Sequence, residues 1–199
     1  MKETSPHIRS FIAVELNKKI KDTIHDTLQT LQKSDADVKW IPAQNAHLTL
    51  KFLGDVALDK IPLIRNTLQN ITRQTLPFVI STDVLGAFPS MENPRVIWLG
   101  LSRGHDELKN IFEKIEKETA PMGFPKEDRA FNAHITIGRV RSEKNLKSLI
   151  KLLKENSFVR AETQEVKSLT LFKSILRSQG AIYQPIEIFS FNKTGFLKF

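Results

Sequence analysis

Asn45-Ala46-His47-Leu48-Thr49-Leu50 recurs as Asn132-Ala133-His134-Ile135-Thr136-Ile137. Four of the six positions are identical, and the other two exchange Leu for Ile. From position 47 to position 134 the offset is 87, a little under half of the 199-residue chain. Self-similarity at a fixed period marks a repeated structural unit. In a strand, residues two apart share a face. His47 and Thr49 therefore share one face, and Leu48 and Leu50 the other. His134 and Thr136 stand in the same relation to Ile135 and Ile137. The apolar pair packs into a core, and the polar pair is presented opposite.

The flanks repeat as well. Ser10–Leu16 (SFIAVEL) reads as a strand, and Ile20, Ile24, Leu28 and Leu31 follow at helical spacing before the first motif. Arg95–Leu101 (RVIWLGL) reads as a strand, and Leu108, Ile111, Phe112 and Ile115 mark a helix before the second. A further helix follows each motif, over Ile61, Ile64, Leu68 and Ile71, and over Leu146, Leu149, Ile150 and Leu153. Phe78-Val79 and Phe158-Val159 open the next strands. Each half thus reads strand, helix, strand, helix, strand. Ser168–Lys173 and Tyr183–Phe191 add strands, with Gly180 in a turn between them. The expected organisation is a single domain over residues 1–199, made of two similar lobes. The repeat units are about 8–90 and 94–175, with a C-terminal strand packing back. No Gly/Ser linker separates the halves, so a cleft between them is the natural ligand site. A parallel dinucleotide-binding sheet is the competing topology, but no Gly-rich phosphate loop follows any strand.

Composition narrows the partners. The net charge is +8 and the pI about 9.7, a balance that attracts polyanions such as RNA, DNA or an anionic membrane surface. The chain has no cysteine, which rules out disulfides, zinc ribbons and thiol nucleophiles and is compatible with a reducing, cytoplasmic setting. The N-terminal MKETSPHIRS is polar, and no stretch approaches 18 apolar residues, so no membrane span is expected.

Two imidazoles and two hydroxyls around one cleft suit in-line displacement at phosphorus. One histidine removes a proton from water and the other protonates the leaving oxygen, tasks that a pKa near 6.5 serves at neutral pH. Threonine hydroxyls can donate to non-bridging phosphate oxygens. A strained 2′,3′-cyclic phosphate is the candidate substrate, because its ring opens without a metal to activate the leaving group. Arg129, Arg139 and Lys51 are the cations near the motifs that can balance the phosphodiester charge, with Arg129 and Arg139 the candidate substrate-binding residues. A regular strand would turn Arg139, five residues after His134, to the opposite face. Phe11 and Tyr183, the only tyrosine, are candidates for stacking on a base, with core packing the competing reading for Phe11. His7, His25 and His105 lack a duplicated context and read as ordinary histidines. Metal binding by His47 and His134 would need further ligands. The nearest carboxylates, Asp55 and Asp128, read as loop residues, so no metal and no cofactor is expected.

The stretch Trp40-Ile41-Pro42-Ala43-Gln44-Asn45-Ala46-His47-Leu48-Thr49-Leu50-Lys51-Phe52-Leu53-Gly54 resembles the first signature of the 2H phosphoesterases. The nearest members are the RNA 2′,3′-cyclic phosphodiesterases, also called 2′-5′ RNA ligase-like proteins. Arg129–Arg139 resembles the second signature, and Arg9–Ala13, Leu171–Ser174 and Gly180–Tyr183 match in order. The family often carries proline where this chain has Ala130 and Ala133. The resemblance implies an α+β, bilobal pseudo-twofold fold, with two antiparallel sheets lining a central cleft and helices outside. It implies hydrolysis of RNA 2′,3′-cyclic phosphodiester ends to a 2′-phosphomonoester, with reversible joining of 2′-5′ RNA ends as a further activity. It assigns His47 as proton donor and His134 as proton acceptor, an order that the near-symmetric motifs leave open. The expected partner is RNA ending in a 2′,3′-cyclic phosphate or carrying a 2′-5′ linkage, with nucleotides a second possibility. A monomer is the expected state. The alternatives are a non-catalytic RNA-end binding module, or the same chemistry on 2′-5′ oligoadenylate or another cyclic phosphate.

Overall fold

The computed structural model describes residues 6–177 and 180–192. β1 (His7–Glu15) leads into α1 (Lys18–Gln32). Asn17 starts that helix by accepting a hydrogen bond from the Ile20 amide, which satisfies one orphan donor of the first turn. Ile20, Ile24, Leu28 and Leu31 form its buried stripe. β2 (Val38–Trp40), β3 (His47–Ala57), α2 (Ile61–Arg73) and β4 (Phe78–Pro89) follow. The second half runs β5 (Pro94–Arg103), α3 (His105–Thr119), β6 (His134–Val140), α4 (Leu146–Glu155) and β7 (Phe158–Val166), and then β8 (Ser168–Arg177) and β9 (Gly180–Ser190). The sequence pattern does not predict β2, because three residues are too few to show a period. Gly180, expected within a turn, opens β9 at φ 135°, and residues 178–179 lie outside the described residues.

Among the described residues every strand pairing is antiparallel, so the parallel alternative is excluded. The first sheet has the order β3-β1-β8-β9 and the second β2-β6-β5-β4-β7. Set β2 aside and the two orders correspond strand for strand, with β3 matching β6 and β1 matching β5. This is the two-sheet α+β architecture that the family resemblance implies.

The sequence repeat is not the spatial lobe, however. β4 lies in the first repeat unit but pairs in the second sheet, while β8 lies in the second unit and pairs in the first. The helices cross over too: α1 packs against β7 and α4, and α3 against β3 and α2. Polar ties reinforce the exchange. The Asn17 amide group donates to the Thr163 carbonyl, and Gln164 donates to the Glu15 carbonyl. One large apolar cluster, including Ile12, Leu48, Leu68, Leu99, Ile135 and Leu153, runs through both halves. The polar faces of the histidine strands are left on the other side.

Candidate active site

Both histidine motifs sit at the start of a strand. His47 opens β3 and His134 opens β6. Leu48, Leu50, Ile135 and Ile137 are buried in the main core, while His47, Thr49, His134 and Thr136 stay partly accessible. The alternation therefore holds through both motifs. β3 and β6 run within 8 Å of each other between Cα atoms, so the two strands that carry the histidines approach at the junction of the sheets.

Each imidazole is fixed in the same way. His47 Nδ1–H donates to the Asn45 carbonyl at 2.8 Å, and His134 Nδ1–H to the Asn132 carbonyl at 2.7 Å. A carbonyl only accepts, so Nδ1 holds a proton in both rings. Nε2 is then the atom that each histidine can offer to a ligand, as a lone pair when neutral or as a donor when charged.

Just past each motif the strand gains a residue. Ala13 pairs with Thr49 and Ile12 with Lys51, so Leu50 is the extra residue of a bulge. Trp98 pairs with Thr136 and Ile97 with Gly138, so Ile137 is the extra residue of the other. A bulge shifts the alternation by one. It therefore corrects two expectations. Arg139 comes onto the face of His134 and Thr136, where a regular strand would have turned it away. Lys51 turns inward, to 2% exposure, and pairs with Glu116 on α3, so it is no cation of the cleft.

The cleft floor is aromatic on both sides. Phe11 packs under His47 with ring centroids 4.7 Å apart, and Phe172 stacks on Phe11 at 5.0 Å. At 3% exposure, Phe11 is a support for the imidazole and offers no free face to a base. Tyr183 meets the His47 ring edge-on at 5.0 Å and stays partly accessible. Under His134 the corresponding place is taken by Phe88, at 5.2 Å, and Phe88 packs on Trp98 at 5.1 Å. Trp98 lies flat across Gly86 and Gly100, where any side chain would collide with its ring. Trp98 and Phe88 have no place in the motif reading. The signal for Trp98 was present, since it follows Phe11 at the same offset of 87. Phe52 is the repeat mate of Arg139. It shares the His47 face, is 59% exposed, and opens a groove of about 560 Å³ that reaches Lys60 and the 123–128 loop.

Arg129 lies exposed in the loop before β6 and makes no hydrogen bond or ion pair among the described residues. His7, His25 and His105 lie on β1, α1 and α3, away from the motifs. No group of three or more His, Asp or Glu side chains among the described residues could hold a metal ion.

The family model of the LigT-like phosphoesterases matches the chain twice in tandem, over residues 14–98 and 99–183. The chain belongs to the LigT-like phosphoesterase family. Among curated relatives, the RNA 2′,3′-cyclic phosphodiesterase of Methanothermobacter thermautotrophicus is 34% identical over 92% of this chain and 98% of its own length. The protein of the same name from Aquifex aeolicus is 35% identical over 92% of this chain and 96% of its own length. Among solved structures, apo LigT from E. coli superposes with a TM-score of 0.75 at 23% identity, covering 95% of this chain and all of that one. That last likeness bears on the fold.

In this LigT-like phosphoesterase both histidines titrate below their usual 6.5. Burial is the main cause for each, because it penalises the charged ring. The carbonyls of Asn45 and Asn132 partly oppose it. Lys21 adds to the lowering at His47, and Arg139 at His134. Burial pushes the Tyr183 phenol up, against a downward pull from Arg139. Arg139 thus acts on His134 from one side and on Tyr183, the neighbour of His47, from the other.

Proposed function

We propose that this chain hydrolyses RNA 2′,3′-cyclic phosphodiester ends to 2′-phosphomonoesters by metal-independent, two-histidine acid–base catalysis. The observation that carries the proposal is the paired imidazoles. Each has Nδ1 held by a carbonyl two residues back, which leaves Nε2 for a ligand. Binding alone does not need two such groups. In-line displacement needs two, on opposite sides of phosphorus.

His134 takes a proton from water as the water oxygen bonds to phosphorus. The P–O3′ bond breaks, and His47 gives its proton to O3′. The phosphate stays on O2′, and the ring proton balance is restored by exchange with solvent. Thr49 and Thr136 donate to the non-bridging oxygens, and Arg139 balances the charge that develops on them. The surroundings support this order. The ribose travels with the leaving oxygen, so it belongs on the acid's side, where Tyr183 beside His47, and Phe52 farther along β3 against Phe11, offer apolar faces to a nucleoside. The curated relatives carry the name of this activity, and an E. coli LigT structure is complexed with 3′-AMP. If a ribose 5′-hydroxyl replaces water, the same geometry joins 2′-5′ ends, and the reverse step cleaves them.

The test is turnover of an oligoribonucleotide ending in a 2′,3′-cyclic phosphate, in EDTA, with product analysis that separates 2′- from 3′-phosphate. Expected is a 2′-phosphate at undiminished rate. Loss of all turnover on chelation sinks the metal-free mechanism. Binding that weakens with salt, with no product after long incubation, would favour a non-catalytic RNA-end module.

A further inference from the structure

Position 51, four residues past His47, carries a buried lysine in a strand that faces a catalytic cleft. Lys51 Nζ donates to Glu116 on α3 and to the Pro125 carbonyl at 2.8 Å. The other Glu116 oxygen accepts from the Glu127 amide at 2.8 Å. Both charged side chains are almost wholly buried, at 2% and 5% exposure. One turn away on the same helix, Phe112 stacks on Phe131 with centroids 4.4 Å apart. The loop from Pro125 to Phe131 is thus held at three points, and it delivers the chain to His134.

The repeat mate of Lys51 is Gly138, and it faces the other way round the same exchange. A Cβ at Gly138 would stand 2.8 Å from the Trp40 ring and 3.0 Å from Val38. The Ile41 amide donates to the Ile137 carbonyl at 2.9 Å. So the residue four past each histidine holds the segment leading into the other histidine. Trp40 stands seven residues before His47, and Glu127 seven before His134. One grip uses a buried ion pair and the other an indole over a glycine.

We propose that Lys51 and Glu116 are positioning residues that set His134 relative to His47, with Gly138 and Trp40 as the reciprocal grip. The proposal rests on the two-histidine reading of the cleft. Lys51 touches no substrate in it. A buried pair is not needed for stability as such, because apolar replacement of both partners is often neutral, whereas loss of one partner strands the other charge. The economical reason for a buried charge here is its three-way bond, which an apolar pair cannot reproduce.

The experiment compares wild type with the charge-neutral double variant K51M/E116L and with G138A. Each is measured for thermal unfolding, for kcat and KM on an oligoribonucleotide ending in 2′,3′-cyclic phosphate, and for amide exchange. A displacement of about an ångström between reacting groups costs roughly 10²-fold in rate. Expected for the double variant is a folded protein with KM within a few-fold of wild type. Its kcat should fall roughly 10²-fold, with faster exchange over 124–133. G138A should lower kcat with faster exchange over 38–46 instead. A purely structural role would move the unfolding temperature and leave kcat of the folded protein alone, and that result overturns the proposal. If K51M/E116L does not fold, E116Q, which keeps the acceptor to Glu127, serves in its place with the same criterion. An inactive wild type would refute the function proposed above. The positioning claim is then judged on exchange alone, and unchanged protection over 124–133 in the variant overturns it.

Discussion

His47 and His134 differ in their second neighbours more than in their own geometry. Both donate Nδ1–H to a carbonyl, and both are pushed below 6.5 chiefly by burial. In the proposed mechanism the free-enzyme rate depends on one ring being neutral and the other charged. The fraction in that state peaks midway between the two pKa values, whichever ring is the acid. With both values lowered, kcat/KM should peak below pH 6.5 and fall on the alkaline side as the acid loses its proton. A pH–rate profile checks this, and an optimum at pH 8 would show that the burial argument does not describe the working site. His47→Ala and His134→Ala should each lower kcat by ~10²–10⁴-fold. Arg139→Ala should cost roughly 10²-fold in kcat, with Arg139→Lys recovering part of it. The sequence made His-x-Thr legible at this scale because alternation over three residues survives in almost any strand. It could not place Arg139, since the inserted residue at Ile137 is invisible to a rule that assumes a regular strand.

Strands and helices were legible wherever a period ran long enough to be read. The stripes of α1 through α4 and the cores of β1 and β5 fall where the apolar spacing puts them. β2 was too short to read, and the partners of β4 and β8 are chosen by long-range packing that no local pattern records. The two bulges are the elements that matter most to the site. They admit Lys51 and Gly138 to the interior and turn Phe52 and Arg139 outward. β4 and β5 make a second demand. Trp98 can lie across the sheet only because Gly86 and Gly100 leave it room. Gly86→Ala forces the indole off its shelf and disturbs Phe88, which supports His134. Overpacking of this kind costs about 1–3 kcal/mol. Chemical denaturation should show that loss, and kcat should fall with it.

Each half of the chain folds around strands that the other half supplies. The first sheet needs β8 and β9, and the second needs β2 and β4. The sequence repeat predicts two like lobes, and a reader of the repeat alone would expect each to stand as a unit. The topology argues otherwise. A fragment ending at Glu92 would hold β1 and β3 without β8, leaving the apolar faces of Ile12 and Val14 half covered and a long sheet edge open. The complementary fragment would hold β5 and β7 without β4, the strand that joins them. Neither piece retains a complete sheet of four strands in the native order. Cutting the turn between β4 and β5 at the exposed Glu92-Asn93 bond should therefore give two fragments that are each largely unfolded by circular dichroism. Mixed, they should regain the native spectrum together with turnover of cyclic-phosphate RNA. In the uncut chain the large apolar cluster that runs through both sheets predicts one cooperative transition, with tertiary and secondary signals coinciding. Two separate transitions, or a first fragment that folds alone, would mean that the lobes are independent after all. The two histidines would then have to be brought together by docking. Interlocking removes that step, because His47 and His134 cannot be assembled one lobe at a time.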